Sequence, residues 1–294
     1  MKTCLITGGA RGMGAVTALE LAQRGFHVVI ADWDGEAGQR TRRSINAAVG
    51  EARCDFVYCD VSDLDAVRQL AAHVLERYPR LDVLVNNAGL VDPVRRLSEQ
   101  GHEMHFATMH LGHFLLARLL LDRLRESAPA RIVIIASDGH KACKGLDFDD
   151  LENERLWSRD KPSGGAAFHS YARAKLCNLY FMQELHRRLA GSGVTVNAVS
   201  PGYFVNTTIY RNLTGVARWG CRLVFGLGTL LRMNSAEQGA RTHIWLASSP
   251  EAAQVSGEYL EKCRPKAMSP QAGDAEAAAR LWTVSETLCG LEPA

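Results

Sequence analysis

The 294-residue sequence carries almost no surplus of charge: 34 basic and 32 acidic residues leave a formal net charge of +2, and no run of Lys or Arg stands out. That balance withholds the electrostatic footprint on which nucleic-acid binding rests, so no nucleic-acid partner is expected. The eight cysteines form no CxxC pair and sit in apolar or strand-like contexts, which suits buried thiols in a reducing compartment; a cytoplasmic location is the expectation. Long apolar runs are missing too. None reaches the roughly 18 uninterrupted apolar residues of a membrane span, and the nearest, Trp219 to Leu231, contains Arg222 and three glycines. Crossing a bilayer is not expected, while peripheral membrane contact stays open. No secretory leader is expected, because the N-terminus passes directly into the strand-like run Thr3-Cys4-Leu5-Ile6. His102, His105, His110 and His113 lack a matching carboxylate or cysteine set, so no metal is expected.

What is present is a hydrophobic content of 47%, enough for one large core, and a regular alternation of element types. Short apolar runs at Thr3–Thr7, His27–Ala31, Asp55–Cys59, Val83–Asn86, Ile132–Ala136 and Val194–Val199 are separated by stretches of helical period, among them Met13–Gln23, Leu64–Arg77, Leu111–Arg125 and Ala172–Leu189. Repeated βα units predict an α/β fold, a doubly wound parallel sheet of Rossmann type with helices on both faces, in a single domain over 1–294. Glu258–Leu260 adds a candidate seventh strand. Two stretches read as irregular, Gly139 to Phe168 and Asn206 to Arg232; the second lies in an expected substrate-loop region of about 203–235. Its apolar part, Val224–Leu231, fits a substrate lid, a membrane-touching surface or a packed helix equally well. An extension of about 262–294, with a helix over Asp274–Leu288, is expected to pack across the surface.

The first strand runs into Thr7-Gly8-Gly9-Ala10-Arg11-Gly12-Met13-Gly14 and then into a helix. A glycine-rich turn between strand and helix lets backbone approach a pyrophosphate, whose charge is met by amides at the helix N-terminus. Asp32 follows the second strand, 18 residues beyond Gly14, close to the spacing of a carboxylate that accepts ribose hydroxyl bonds. Standing alone it would read as a turn or capping acid; in this context it favours NAD, because it would repel a 2′-phosphate. Arg11 pulls toward NADP, since a guanidinium near the ribose pairs with that phosphate.

Six ordered motifs then carry a resemblance. They are the Thr7-Gly8-x3-Gly12-x-Gly14 turn, Asp60-Val61, Asn86-Asn87-Ala88-Gly89, Ser137, Tyr171-x3-Lys175 and Pro201-Gly202. Together they resemble the short-chain dehydrogenase/reductase family over essentially the whole chain. His110-Leu111-Gly112-His113-Phe114, Tyr171 to Asn178, Gln238-Gly239-Ala240-Arg241-Thr242 and Ser256-Gly257-Glu258-Tyr259 narrow it to the retinol dehydrogenase and protochlorophyllide reductase branch. The resemblance implies an NAD(P) site that includes Gly8, Arg11, Gly12, Met13, Gly14, Asp32, Asp60, Val61, Asn87, Ala88, Gly89, Tyr171, Lys175, Pro201 and Gly202. It also implies a small apolar carbonyl or alcohol as substrate, and a dimer or tetramer as the assembled form.

Hydride chemistry at a carbonyl needs a proton partner for the oxygen, and free tyrosine, with a pKa of about 10, needs a nearby cation to serve. The Tyr171–Lys175 spacing puts both on one helical face, as it would in any amphipathic pair. Ser137, at the end of the fifth strand, is placed to orient the substrate oxygen. Asn86 is expected to hold the turn after the fourth strand, and His140 and His169 flank the site. One departure stands out: the branch has an Asn three residues before Gly112, where this chain has Met109. In the family that Asn helps hold a water on the path from Lys to solvent, and a thioether is too weak an acceptor to replace an amide. Met109 therefore motivates a rival expectation, a catalytically silent NAD(P)-binding or scaffold protein.

Overall fold

Five of the first six strands are apolar runs that alternate between two cores, and the sheet follows from that. A computed structural model describes residues 1–159, 165–202 and 235–292. Strands β1 (Thr3–Thr7), β2 (His27–Asp32), β3 (Cys54–Tyr58), β4 (Val83–Asn86), β5 (Ala130–Ile135), β6 (Val194–Val199) and β7 (Tyr259–Glu261) pair in parallel, and β8 (Arg264–Pro265) closes the edge antiparallel to β7. The order is β3-β2-β1-β4-β5-β6-β7-β8. The chain thus winds outward from β1 in both directions and reverses between β1 and β4.

Alternation along the strands divides the core. Leu5, Val29, Leu84, Ile132 and Ile134 face α3 (Leu64–Arg77), α5 (Gly112–Glu126) and α7 (Gly165–Arg188). Cys4, Ile6, Val28, Ile30, Val83 and Val85 face α1 (Gly12–Gln23), α2 (Gly35–Val49) and α8 (Ala236–Ser248). Local chemistry sets the helix ends: Asp34 accepts from Ala37 N and starts α2, Gly50 ends it in the left-handed region, and Ser235 with Gln238 forms a capping box on α8. A short helix α4 (Met104–Phe106) runs through a π-turn, Ala107–Leu111, straight into α5.

The stretch expected to be irregular after Gly139 is more ordered than its composition suggests. It holds a 3-10 turn (Asp138–Ala142), a short helix α6 (Glu154–Arg159) and the first turns of α7, which begins at Gly165 rather than near Ala172. Small residues there bury Ala166, Ala167 and Ser170, so helix forms without an apolar stripe to announce it. The tail is not a surface strap either: α9 (Ala275–Leu288) places Trp282 inside the core, its ring edge-on to Phe114 with centroids 4.9 Å apart. The expected substrate-loop region lies outside the described residues apart from Ser235, and Val224–Leu231 lies outside them entirely. Among the described residues no helix is long and apolar enough to cross a membrane.

Candidate active site

Where the winding reverses, the carboxyl ends of the strands leave a crevice, here a cavity of about 620 Å³. Its β1 side is bare backbone. Gly8 has φ +64, and a Cβ added at Gly14 would stand 2.2 Å from the Gly8 carbonyl oxygen, so neither position tolerates a side chain without a shift. The N-terminal amides of α1 therefore stay open to the cavity, which fits a pyrophosphate.

Asp32, at the end of β2, accepts from Ala10 N at 3.0 Å and from Asp34 N at 3.0 Å. Arg11 also lines the cavity, but its guanidinium pairs with Asp34. The Ala37 amide and then Arg11 hold the Asp34 carboxyl below its usual range. This end of the cavity thus presents the Asp32 carboxylate, Trp33 and an Arg11 guanidinium paired with Asp34.

Below the cofactor cradle, Thr7 organises the turn after β4. Its hydroxyl accepts from Asn87 N at 2.9 Å and Ala88 N at 3.0 Å and lies 2.8 Å from His113 Nε2. His113 Nδ1 faces the Met109 carbonyl at 3.2 Å, so Nδ1 carries the proton and Nε2 accepts from Thr7. Burial pushes the His113 pKa down to about 3, which keeps this ring neutral. The side chain that holds the turn is Asn87, donating to Thr7 O at 2.8 Å and Gly8 O at 3.1 Å; the expected Asn86 is buried with no protein partner among the described residues. Met109 is fully buried and does not line the cavity; its neighbour Thr108, one position earlier on the π-turn, does.

Tyr171, Lys175 and Ser137 meet at the far end. Lys175 Nζ donates to the Ile135 carbonyl at 2.6 Å and stands 5.7 Å from the Tyr171 ring centroid. Burial lowers its pKa to about 7. Ser137 Oγ accepts from Gly139 N at 3.0 Å and caps the 3-10 turn. The next residue, Asp138, anchors that turn to the β7–β8 hairpin, accepting from Tyr259 OH at 3.1 Å and from Lys266. Burial would raise its carboxyl, but Lys266 and Lys141 outweigh it and hold the pKa at about 2. His140 does not reach substrate space: it is fully buried between the Ser137 carbonyl, at 2.7 Å, and Ser269 N, at 3.1 Å, while His169 is exposed and outside the cavity lining.

Every residue the sequence singled out for cofactor or catalysis lines this cavity, from Gly8, Gly12, Met13 and Gly14 through Asp60, Val61, Ala88 and Gly89 to Pro201 and Gly202. Sequence reasoning missed its outer wall, Leu90, Met104, Thr108, Ala142 and Phe168, which belong to no motif and are assembled only by packing.

A strand-turn-helix phosphate cradle leading to a tyrosine, a buried lysine and a serine defines a class, the nicotinamide-dependent α/β oxidoreductases. A family model of the short chain dehydrogenases matches residues 2–144. Retinol dehydrogenase 13 of Homo sapiens is 40% identical over 296 residues, covering 99% of this chain and 85% of its own length. Among solved structures, an uncharacterized protein from Mycobacterium paratuberculosis superposes with a TM-score of 0.75 at 32% identity, over 100% of this chain and 96% of its own. The Pseudomonas aeruginosa RhlG/NADP active-site complex superposes with a TM-score of 0.67 at 26% identity, over 88% and 93% of the two chains. The chain belongs to the short-chain dehydrogenase/reductase family, in its retinol dehydrogenase branch.

Proposed function

We propose that the protein is an NAD-dependent dehydrogenase or reductase of an apolar alcohol and its aldehyde or ketone. The observation that carries the reading is the convergence of Tyr171, Lys175 and Ser137 on the cavity that also holds the glycine cradle. When bound, a nicotinamide would supply or accept the hydride. Tyr171 gives its phenolic proton to the carbonyl oxygen in reduction and takes it back in oxidation. Lys175, one helical turn away and tied to the Ile135 carbonyl, would favour the phenolate by its charge while protonated and offer its remaining N–H groups to the ribose of a bound cofactor. Ser137, fixed by its own turn, donates to the substrate oxygen and holds it in line.

The choice of NAD rests on the ribose end. A 2′-phosphate would meet the Asp32 carboxylate, and the Arg11 guanidinium beside it is paired with Asp34. The choice of an apolar substrate rests on the wall of Leu90, Met104, Ala142 and Phe168, and on retinol dehydrogenases being the relatives. The test is oxidation of NADH and NADPH against a panel of apolar aldehydes and ketones. Turnover with NADH that vanishes in Tyr171→Phe, with NADH binding retained, is the expected result; a Tyr171→Phe enzyme as active as the parent would refute the assignment.

A further inference from the structure

Directly behind Tyr171 lies a buried hydrogen-bonded set that the mechanism does not use. Glu103, fully buried, accepts at Oε2 from His105 N at 3.1 Å, Phe106 N at 3.2 Å and Ser170 Oγ at 2.9 Å. Its Oε1 lies 2.7 Å from His105 Nδ1. The far nitrogen of that ring, Nε2, accepts from Asp92 N at 3.0 Å, so Nδ1 must carry the proton and donate to Glu103. Ser170 Oγ in turn accepts from Asn153 Nδ2 at 3.1 Å. A single carboxylate thus joins the loop after β4, the start of α4, the 150–153 segment and the residue immediately before Tyr171. Burial opposes its charge, yet these bonds hold Glu103 below its usual range.

Such a set is costly to build unless every member is satisfied, and here each is. Its reach matches the parts of the cavity that must keep station with one another. Leu90 lies two residues from Asp92, Met104 follows Glu103, and Tyr171 follows Ser170; all three line the cavity. We propose that Glu103 and Ser170 are positioning residues: through the Ser170 hydroxyl, the buried carboxylate fixes Tyr171 against the substrate wall. The inference rests on the catalytic reading of Tyr171 given above. Rate is sensitive to placement on this scale, since a misplacement of about 1 Å costs up to roughly a hundredfold.

Ser170→Ala is the probe: Glu103 keeps its bonds to His105 and Phe106 and Asn153 Oδ1 keeps the Arg173 guanidinium at 2.6 Å, while Asn153 Nδ2 loses its acceptor. With NADH and the best carbonyl of the panel, Ser170→Ala is expected to lower kcat about tenfold while the KM for NADH stays near the parent value, with a modest fall in the unfolding midpoint from the unpaired Asn153 Nδ2. Ser170→Thr, which keeps the hydroxyl, is expected to restore kcat to within about threefold. A purely structural role would lower the midpoint alone and leave kcat at saturation unchanged, and that result overturns the proposal. Parent activity lost in Tyr171→Phe but untouched in Ser170→Ala overturns this inference alone; activity that survives Tyr171→Phe overturns the catalytic reading and this inference with it.

Discussion

Lys175 is the residue on which the chemistry and the stability of the site meet. It is 3% exposed, with Nζ on the Ile135 carbonyl, and burial lowers its pKa to about 7, against about 10.4 for a free lysine. Between those values the unfolded chain holds a proton that the folded chain has shed. Stability therefore rises with pH across that window, and this residue's contribution is least favourable below pH 7. For the cofactor-free protein we expect the thermal midpoint of the parent to climb relative to Lys175→Met between pH 7 and pH 9, with a slope approaching about 1.4 kcal/mol per pH unit. A difference that does not change with pH would mean that the ammonium stays charged in the folded state. At this same scale the sequence was informative where backbone need or proton chemistry marks a residue, but not for Asn86, whose expected role at the end of β4 falls to Asn87. Gly8, Asp32, Ser137 and Tyr171 each follow from backbone needs or proton chemistry, whereas Asp138 carries no local mark because its partners Tyr259 and Lys266 lie more than a hundred residues away.

At the scale of elements, α9 and the start of α7 show what packing adds to pattern. β1, β4 and β6 run as their apolar stretches predict, with the same ends, because nearly every residue in them is buried on one face or the other, Thr7, Asn86 and Asn197 included. The first turns of α7 were illegible for the opposite reason: Ala166, Ala167 and Ser170 bury little apolar surface and show no periodicity. β8 is two exposed residues, and only its pairing with β7 defines it. The tail helix was legible as a helix but not as core. Trp282 packs edge-on against Phe114, the Arg188 guanidinium lies 4.4 Å from its ring, and Ser285 on the same helix is 2.7 Å from His110 Nε2 in the π-turn. Trp282→Ala should then cost about 3–5 kcal/mol, the range for a large aromatic removed from a packed interior, as measured by urea unfolding. A loss under about 1 kcal/mol would return the tail to the status of a surface strap.

At the scale of the molecule, the cavity is lined from the ends of β1, β2, β4 and β5 and from α7, so a dinucleotide seated there touches elements that reach both cores. Whatever binds only the folded chain stabilises all of it. At free NADH one hundred times its Kd, the gain is about 2.7 kcal/mol, or roughly 5 °C in midpoint for a chain of this size. The ribose end decides how that gain divides between cofactors. Asp32 is held by two backbone amides and cannot swing aside cheaply, while Arg11 is committed to Asp34. On the proposed NAD reading, NADPH would bring its 2′-phosphate against the Asp32 carboxylate and bind more weakly. We expect NADPH at the same concentration to raise the midpoint less than NADH, and Asp32→Ala to narrow the gap by improving NADPH as well as by weakening NADH. A larger shift with NADPH in the parent protein would mean that Arg11 leaves Asp34 for the phosphate, which reverses the cofactor choice without touching the catalytic end of the site.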